Sequence, residues 1–188
     1  MAQEIGFEND VTGAQSRAKG SDGRLNVSSR VDSRSYYISR DQEQAYSFAF
    51  EHTDSVAGEY SCYIQNTSPS KDLVVSAGSI SSDLGVTAKV WFVTGTVAGG
   101  TAVTPVNNNK SSANDAAATF LQHGNSTAIS GLTEAGLLDY VICPIQGQTP
   151  FRLDDRIRLG QNDALVIEID AVTSGTPLAL GVLFGYFE

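Results

Sequence analysis

The sequence predicts an all-β protein, a β-sandwich preceded by an extended N-terminal arm. Three observations predict it. Val90-Trp91-Phe92-Val93 places apolar side chains at successive positions, as a strand buried on both faces does. Short β-branched and aromatic runs recur along the chain between turn signals at Ser68-Pro69-Ser70, Gly99-Gly100, His123-Gly124-Asn125, Gly160-Gln161-Asn162-Asp163 and Ser174-Gly175-Thr176-Pro177, the spacing of a sandwich. No segment has strong amphipathic helical periodicity, and no internal repeat of fixed period is present.

Taken in order, residues 1–23 are Gly, Asn, Ser, Gln and charge, with Ile5, Phe7 and Val11 as apolar anchors, too few to form a core alone. They read as an extended arm, and residues 24–188 as the sandwich domain. Tyr46, Phe48 and Phe50 alternate with Ser47 and Ala49, then Tyr60, Cys62 and Ile64 with Ser61, Tyr63 and Gln65, so each run has a core face. Further strands are expected at 73–80, 87–94, 101–106, 118–122, 137–145, 149–153, 164–172 and 178–187, and a short helical turn fits 112–118 or 133–138. The tract from Gly95 to Ala118, with Gly99-Gly100, Pro105 and Asn107-Asn108-Asn109, suits an ordered surface connection. In the strand over 164–172, Leu165, Ile167 and Ile169 share one face while Glu168 and Asp170 mark the other as wet. The last strand carries Leu178, Leu180, Val182, Phe184 and Tyr186 on a bulky face and Ala179, Gly181, Leu183, Gly185 and Phe187 on the other. Glycine within a strand invites close approach. A symmetry mate against Gly181 and Gly185 is one reason for it, and a barrel-like bend is the other.

Length and composition narrow the function. A chain of 188 residues fits one domain with an arm and is long enough to bury roughly 70% of its unfolded surface. Cys62 and Cys143 lie in strand-like apolar runs and read as reduced core thiols rather than a bridge. The start Met1-Ala2-Gln3-Glu4 lacks an apolar export core, and no apolar run reaches roughly 18 residues. The expectation is a soluble, non-exported chain without a membrane partner. Sequons at Asn26, Asn66, Asn109 and Asn125 then follow from a surface rich in Ser, Thr and Asn. A formal net charge of −9 argues against nucleic acid as a partner. Locally the balance differs: six of the twelve basic residues (Arg17, Lys19, Arg24, Arg30, Arg34, Arg40) fall in the first 40 positions, diluted by seven acids up to position 43.

Candidate chemistry is sparse. His52 and His123 are the two histidines, and neither has metal-ligand spacing to the other in sequence. A Cys/His nucleophile needs an exposed, activated thiol, which the apolar surroundings of both cysteines oppose. The carboxylates Asp154, Asp155, Asp163, Glu168 and Asp170 are the remaining source of acid/base or calcium chemistry, but Arg152, Arg156 and Arg158 interleave with the first two as in surface ion pairing. The chain therefore reads as non-enzymatic, with no cofactor and no metal. Tyr36, Tyr37 and Tyr63, the last opposite Cys62, are candidate exposed aromatic platforms.

The segments 60–68 (YSCYIQNTS), 93–109 (VTGTVAGGTAVTPVNNN), 160–170 (GQNDALVIEID) and 181–188 (GVLFGYFE) resemble virion proteins of tailed bacteriophages, and most closely the jelly-roll head decoration, or cement, proteins. The likeness covers roughly residues 40–188 and is one of loop and strand texture. It implies a jelly-roll-like sandwich, a homotrimer on the outer capsid surface of a virion, made in the host cytoplasm, and the major capsid protein as partner. On that reading Phe7, Arg17, Lys19 and Arg24 of the arm contact the shell, and Gly181 and Gly185 contact a second copy. The alternative is a receptor- or glycan-binding module of a tail tip or head fibre, with Asn107, Asn108, Asn109 and Tyr63 as contacts. A carboxylate hydrolase using Asp154 or Asp163 is a third class.

Overall fold

The computed structural model describes residues 34–52, 58–123, 127–171 and 177–188, together with the backbone of four short strands among residues 6–25. The chain divides into two compact units, Met1–Asp32 and Ser33–Glu188. In the first, β1 (Gly6–Glu8) pairs antiparallel with β2 (Gln15–Arg17), and β3 (Gly20–Ser21) with β4 (Arg24–Leu25).

The second unit opens with a helical turn that the sequence did not announce, α1 (Arg34–Tyr37) running into a π-turn over Ile38–Gln42. Its single buried anchor, Ile38, packs with Ala45, Val74 and Tyr186, so tertiary packing rather than helical periodicity fixes it. The strands follow: β5 (Ala45–His52), β6 (Glu59–Asn66), β7 (Leu73–Ser82), β8 (Val86–Ala98), β9 (Thr101–Ala102), β10 (Val106–Asn107), β11 (Ala118–Gln122), β12 (Ser130–Cys143), β13 (Gly147–Leu159), β14 (Ala164–Ala171) and β15 (Ala179–Phe187).

Two antiparallel sheets form the sandwich, one of order β10-β5-β15-β7-β13 and one of order β12-β8-β14-β6-β11-β9. The eight long strands pair as β8 with β12, β7 with β13, β6 with β14 and β5 with β15. This is one long antiparallel ribbon whose successive pairs alternate between the sheets, the jelly-roll winding. Chain closure by winding places strands that are far apart in sequence side by side, which matters for the site below.

The main core lies between the sheets and takes Phe48 and Phe50 from β5, Cys62 and Ile64 from β6, Val90 from β8 and Leu165, Ile167 and Ile169 from β14. Burying each such side chain is worth roughly 1.5–3 kcal/mol. A second cluster, Tyr63, Val93, Ile129, Ala164 and Val166, with Trp91 and Leu121 against it, occupies the opposite face of the six-stranded sheet, where Ile129 bridges to Tyr60. Val90 and Phe92 thus face the first core while Trp91 and Val93 face the second, which is why apolar residues stand at successive positions there. Both cysteines are free and buried.

Several boundaries differ from those read in the sequence. The tract 133–138 is strand within β12, not a helical turn, and 112–117 carries no helix. The strand expected over 101–106 is two short pieces, β9 and β10, either side of Pro105. The strand expected at 149–153 continues to Leu159 through a break in register between Arg152 and Ile157, where Asp154 and Asp155 adopt φ of 47° and 57°. Aspartate tolerates that left-handed backbone, so the acids mark a bulge rather than the end of a strand. At the turn after β8, Gly99 and Gly100 have φ of 75° and 74°, and a Cβ on Gly99 would lie 2.1 Å from the Ala128 carbonyl oxygen.

Candidate functional site

β15 is the centre of the five-stranded sheet, and its two faces have opposite fates. The glycine face points inward. Gly181 pairs with Phe50 across the ladder, and the Phe50 ring fills the space a side chain would take, with Cζ 2.2 Å from the position of a Cβ. At Gly185 the Val74 carbonyl oxygen would lie 2.9 Å from a Cβ. On the side where a Cβ would stand, the close approach to these glycines is internal, made by an aromatic ring at Gly181 and a neighbouring backbone at Gly185. Gly78 repeats the arrangement with Phe151, its own ladder partner.

The bulky face is the one left in solvent. Leu178, Leu180 and Phe184 are 37%, 46% and 39% exposed, and Val182 is half-buried between the latter two. Tyr186 lies on this same face, but Ile38 of the helical turn packs on it with Ala45 and Val74 and buries its ring. Across the ladder Leu180 neighbours Glu51 and Ser81, Val182 neighbours Ala49 and Ser79, and Phe184 neighbours Ser47 and Ala77. Small neighbours leave the three large side chains standing as a ridge. A hollow of about 270 Å³ beside Leu178 and Leu180 and another of about 300 Å³ beside Phe184 and Tyr36 lie at its two ends.

The residues expected to contact a glycan are committed elsewhere. Asn107 donates through Nδ2 to the carbonyls of Glu43 (2.9 Å) and Asn114 (3.1 Å), and its Oδ1 accepts from the Asn109 N–H (2.8 Å). Asn109 in turn accepts from the Ser111 N–H and donates to the Ser39 carbonyl, while Asn108 accepts from Ser47 Oγ. These amides tie the connection to β5 and to the helical turn. Tyr63, expected on an exposed platform, is 2% exposed, because the second cluster covers the face opposite Cys62. Tyr36 is exposed, with Arg40 stacked 5.5 Å above its ring.

Of the arm residues, Phe7 pairs with Ser16, Arg17 with Gly6 and Arg24 with Ser21, and Lys19 lies outside the described residues. The carboxylates are dispersed apart from Glu168 and Asp170, which meet at Lys89. Asp163 accepts from the Gly160 N–H in a turn, Asp154 and Asp155 sit at the bulge, and Arg158 pairs with Glu188, which Arg34 also holds. Glu168 is buried and accepts from Lys89 Nζ (3.1 Å) and Trp91 Nε1 (2.6 Å); Lys89 also reaches Asp170 at 2.5 Å. Hydrogen bonds to Asp170 and then Glu168 raise the Lys89 pKa, so the ammonium is held charged between the two acids.

One constellation was invisible in the sequence. His52, last residue of β5, and His123, just after β11, stack with ring centroids 4.1 Å apart and planes 18° apart. Glu59 Oε2, at the start of β6, lies 3.3 Å from His123 Nε2 and 3.9 Å from His52 Nε2. The jelly-roll winding brings the end of one sheet's strand against two strands of the other. Ser61 Oγ lies 2.5 Å from His52 Nδ1 and fixes that ring. Burial, and then the neighbouring His123, pushes the His52 pKa down to about 4, so its imidazole is neutral at neutral pH.

No protein-family model, no curated protein and no solved structure matches this chain. Function is therefore read from its residues.

Proposed function

We propose that this chain is a non-enzymatic structural protein of a phage virion, a capsid decoration or cement protein that binds the outer surface of the head and ties major capsid subunits together. The observation that carries the reading is the apolar ridge of Leu180, Val182 and Phe184 standing on a sheet whose inner face is closed by aromatic packing. An apolar ridge in the middle of a rigid sheet supports docking rather than turnover. Its occupant on this reading is a second copy of the chain. Copies carrying −9 each repel, and this face offers contact among Ala49, Ser47, Ala77, Ser79 and Ser81 with Glu51 as the acid at one end.

The jelly-roll winding supports the same reading, since capsid proteins are among those built on it, although a fold alone does not fix a function. The oligomer contact expected at Gly181 and Gly185 moves to their sequence neighbours on the other face. The shell contact stays with the first unit, through Phe7, Arg17, Lys19 and Arg24. A protein that binds only the assembled shell stabilises it by linkage.

Co-sedimentation with undecorated heads tests the proposal. Saturable binding that weakens when residues 1–23 are removed is expected. Absence of binding by the full chain, or binding unchanged by the deletion, contradicts the cement reading or its assignment of the arm, respectively.

A further inference from the structure

We propose that His52, Glu59 and His123 form a binding site for one divalent transition-metal ion of the zinc class, which staples the two sheets together at this end of the sandwich. Three side-chain ligand atoms, one from each residue, lie within 4.8 Å of one another. A tetrahedral ion with bonds of about 2.0–2.1 Å places neighbouring ligand atoms about 3.3 Å apart. The 3.3 Å from Glu59 Oε2 to His123 Nε2 already matches this spacing, and the 3.9 Å to His52 Nε2 needs a contraction of a few tenths of an ångström.

A second observation points the same way. His52 is fully buried, and its Nε2 has no hydrogen-bond partner among the described residues; neither ring nitrogen of His123, which is 7% exposed, has one either. Buried imidazole nitrogens ordinarily find partners. Here the unpartnered nitrogens lie near a carboxylate whose alignment with them does not make a hydrogen bond, and an ion between them would satisfy both imidazoles. Ser61 already plays the outer part that orients a metal-bound histidine, holding His52 by Nδ1 and leaving Nε2 as the ligand atom. Stacked rings cannot both aim a lone pair at one ion, so binding requires the His123 ring to turn, a motion that breaks no side-chain hydrogen bond among the described residues.

Two imidazoles and a carboxylate suit zinc, cobalt or nickel over calcium or magnesium, which prefer oxygen. Three protein ligands leave a fourth position for water. Because His52 belongs to the five-stranded sheet and Glu59 to the six-stranded one, the ion adds a coordinate link to the His52–Ser61 and Glu51–Gln122 hydrogen bonds that already join the two sheets here.

The test uses the full, untagged chain stripped with chelator and titrated with Zn²⁺ and with Co²⁺. Expected are one ion per chain, a rise in melting temperature on Zn²⁺ addition that chelator reverses, and the intense visible bands of four- or five-coordinate Co²⁺. Glu59→Gln and His123→Gln should each weaken binding at least tenfold. Glu59 is partly exposed, so its variant keeps the test decisive where the histidine variant does not fold. Absence of saturable binding, or binding that Glu59→Gln leaves unchanged, overturns the proposal.

Discussion

The Phe50 ring lies over Gly181, its partner across the β5–β15 ladder, so closely that a methyl group on Gly181 would meet Phe50 Cζ at 2.2 Å. A bare backbone in the middle of the sheet is thereby covered by a residue of the same domain. Gly181→Ala forces the ring or the strand aside in a packed core, and the expected loss is about 1–3 kcal/mol in urea unfolding. An alanine variant of unchanged stability but altered self-association would instead place Gly181 at an interface between copies.

The opposite face of β15 predicts the converse. Leu180→Ser with Phe184→Ser removes exposed apolar surface, so unfolding free energy should change by about 1 kcal/mol or less. Self-association should fall. Sedimentation velocity reads this directly: the wild-type chain is expected to run as an oligomer and the double variant as a monomer, whereas a wild-type monomer at every concentration contradicts the docking face.

Tyr63 and Asn107 separate structure from recognition. Tyr63→Ala empties a site in the second cluster and should cost about 3–5 kcal/mol, the range of large aromatic truncations in a core. Asn107→Ala deletes bonds to the carbonyls of Glu43 and Asn114 and should cost about 1–3 kcal/mol. Unfolding curves check both. Near-neutral stability with lost glycan binding would return these residues to a recognition role.

Lys89→Met leaves the buried Glu168 with Trp91 as its remaining donor among the described residues. Losing a charged partner costs about 1.5–3 kcal/mol. Thermal unfolding of Lys89→Met against Lys89→Arg measures it, with the arginine expected to recover part of the loss.

Most of the sandwich was legible because burial alternates along its strands. Tyr46, Phe48 and Phe50 all face the core, and the unbroken apolar run at Val90 to Val93 reflects a separate core on each side of β8. β13 was cut short because Asp154 and Asp155 resemble a turn, and only the ladder to β7 reveals a bulge between two halves of one strand. For β15 the alternation was legible but not its direction. Phe50 supplies the volume that Gly181 lacks, so the glycine face turns inward and the bulky face is outside. The histidine pair carried no local signal: His52 and His123 meet only because the ribbon winds β5 against β6 and β11.

The central claim, a structural component of a virion head, is tested most directly by immunogold electron microscopy of intact virions with antibody against the purified chain. Label distributed over the head is the expected result. Label confined to the tail, or absent from the particle, contradicts it.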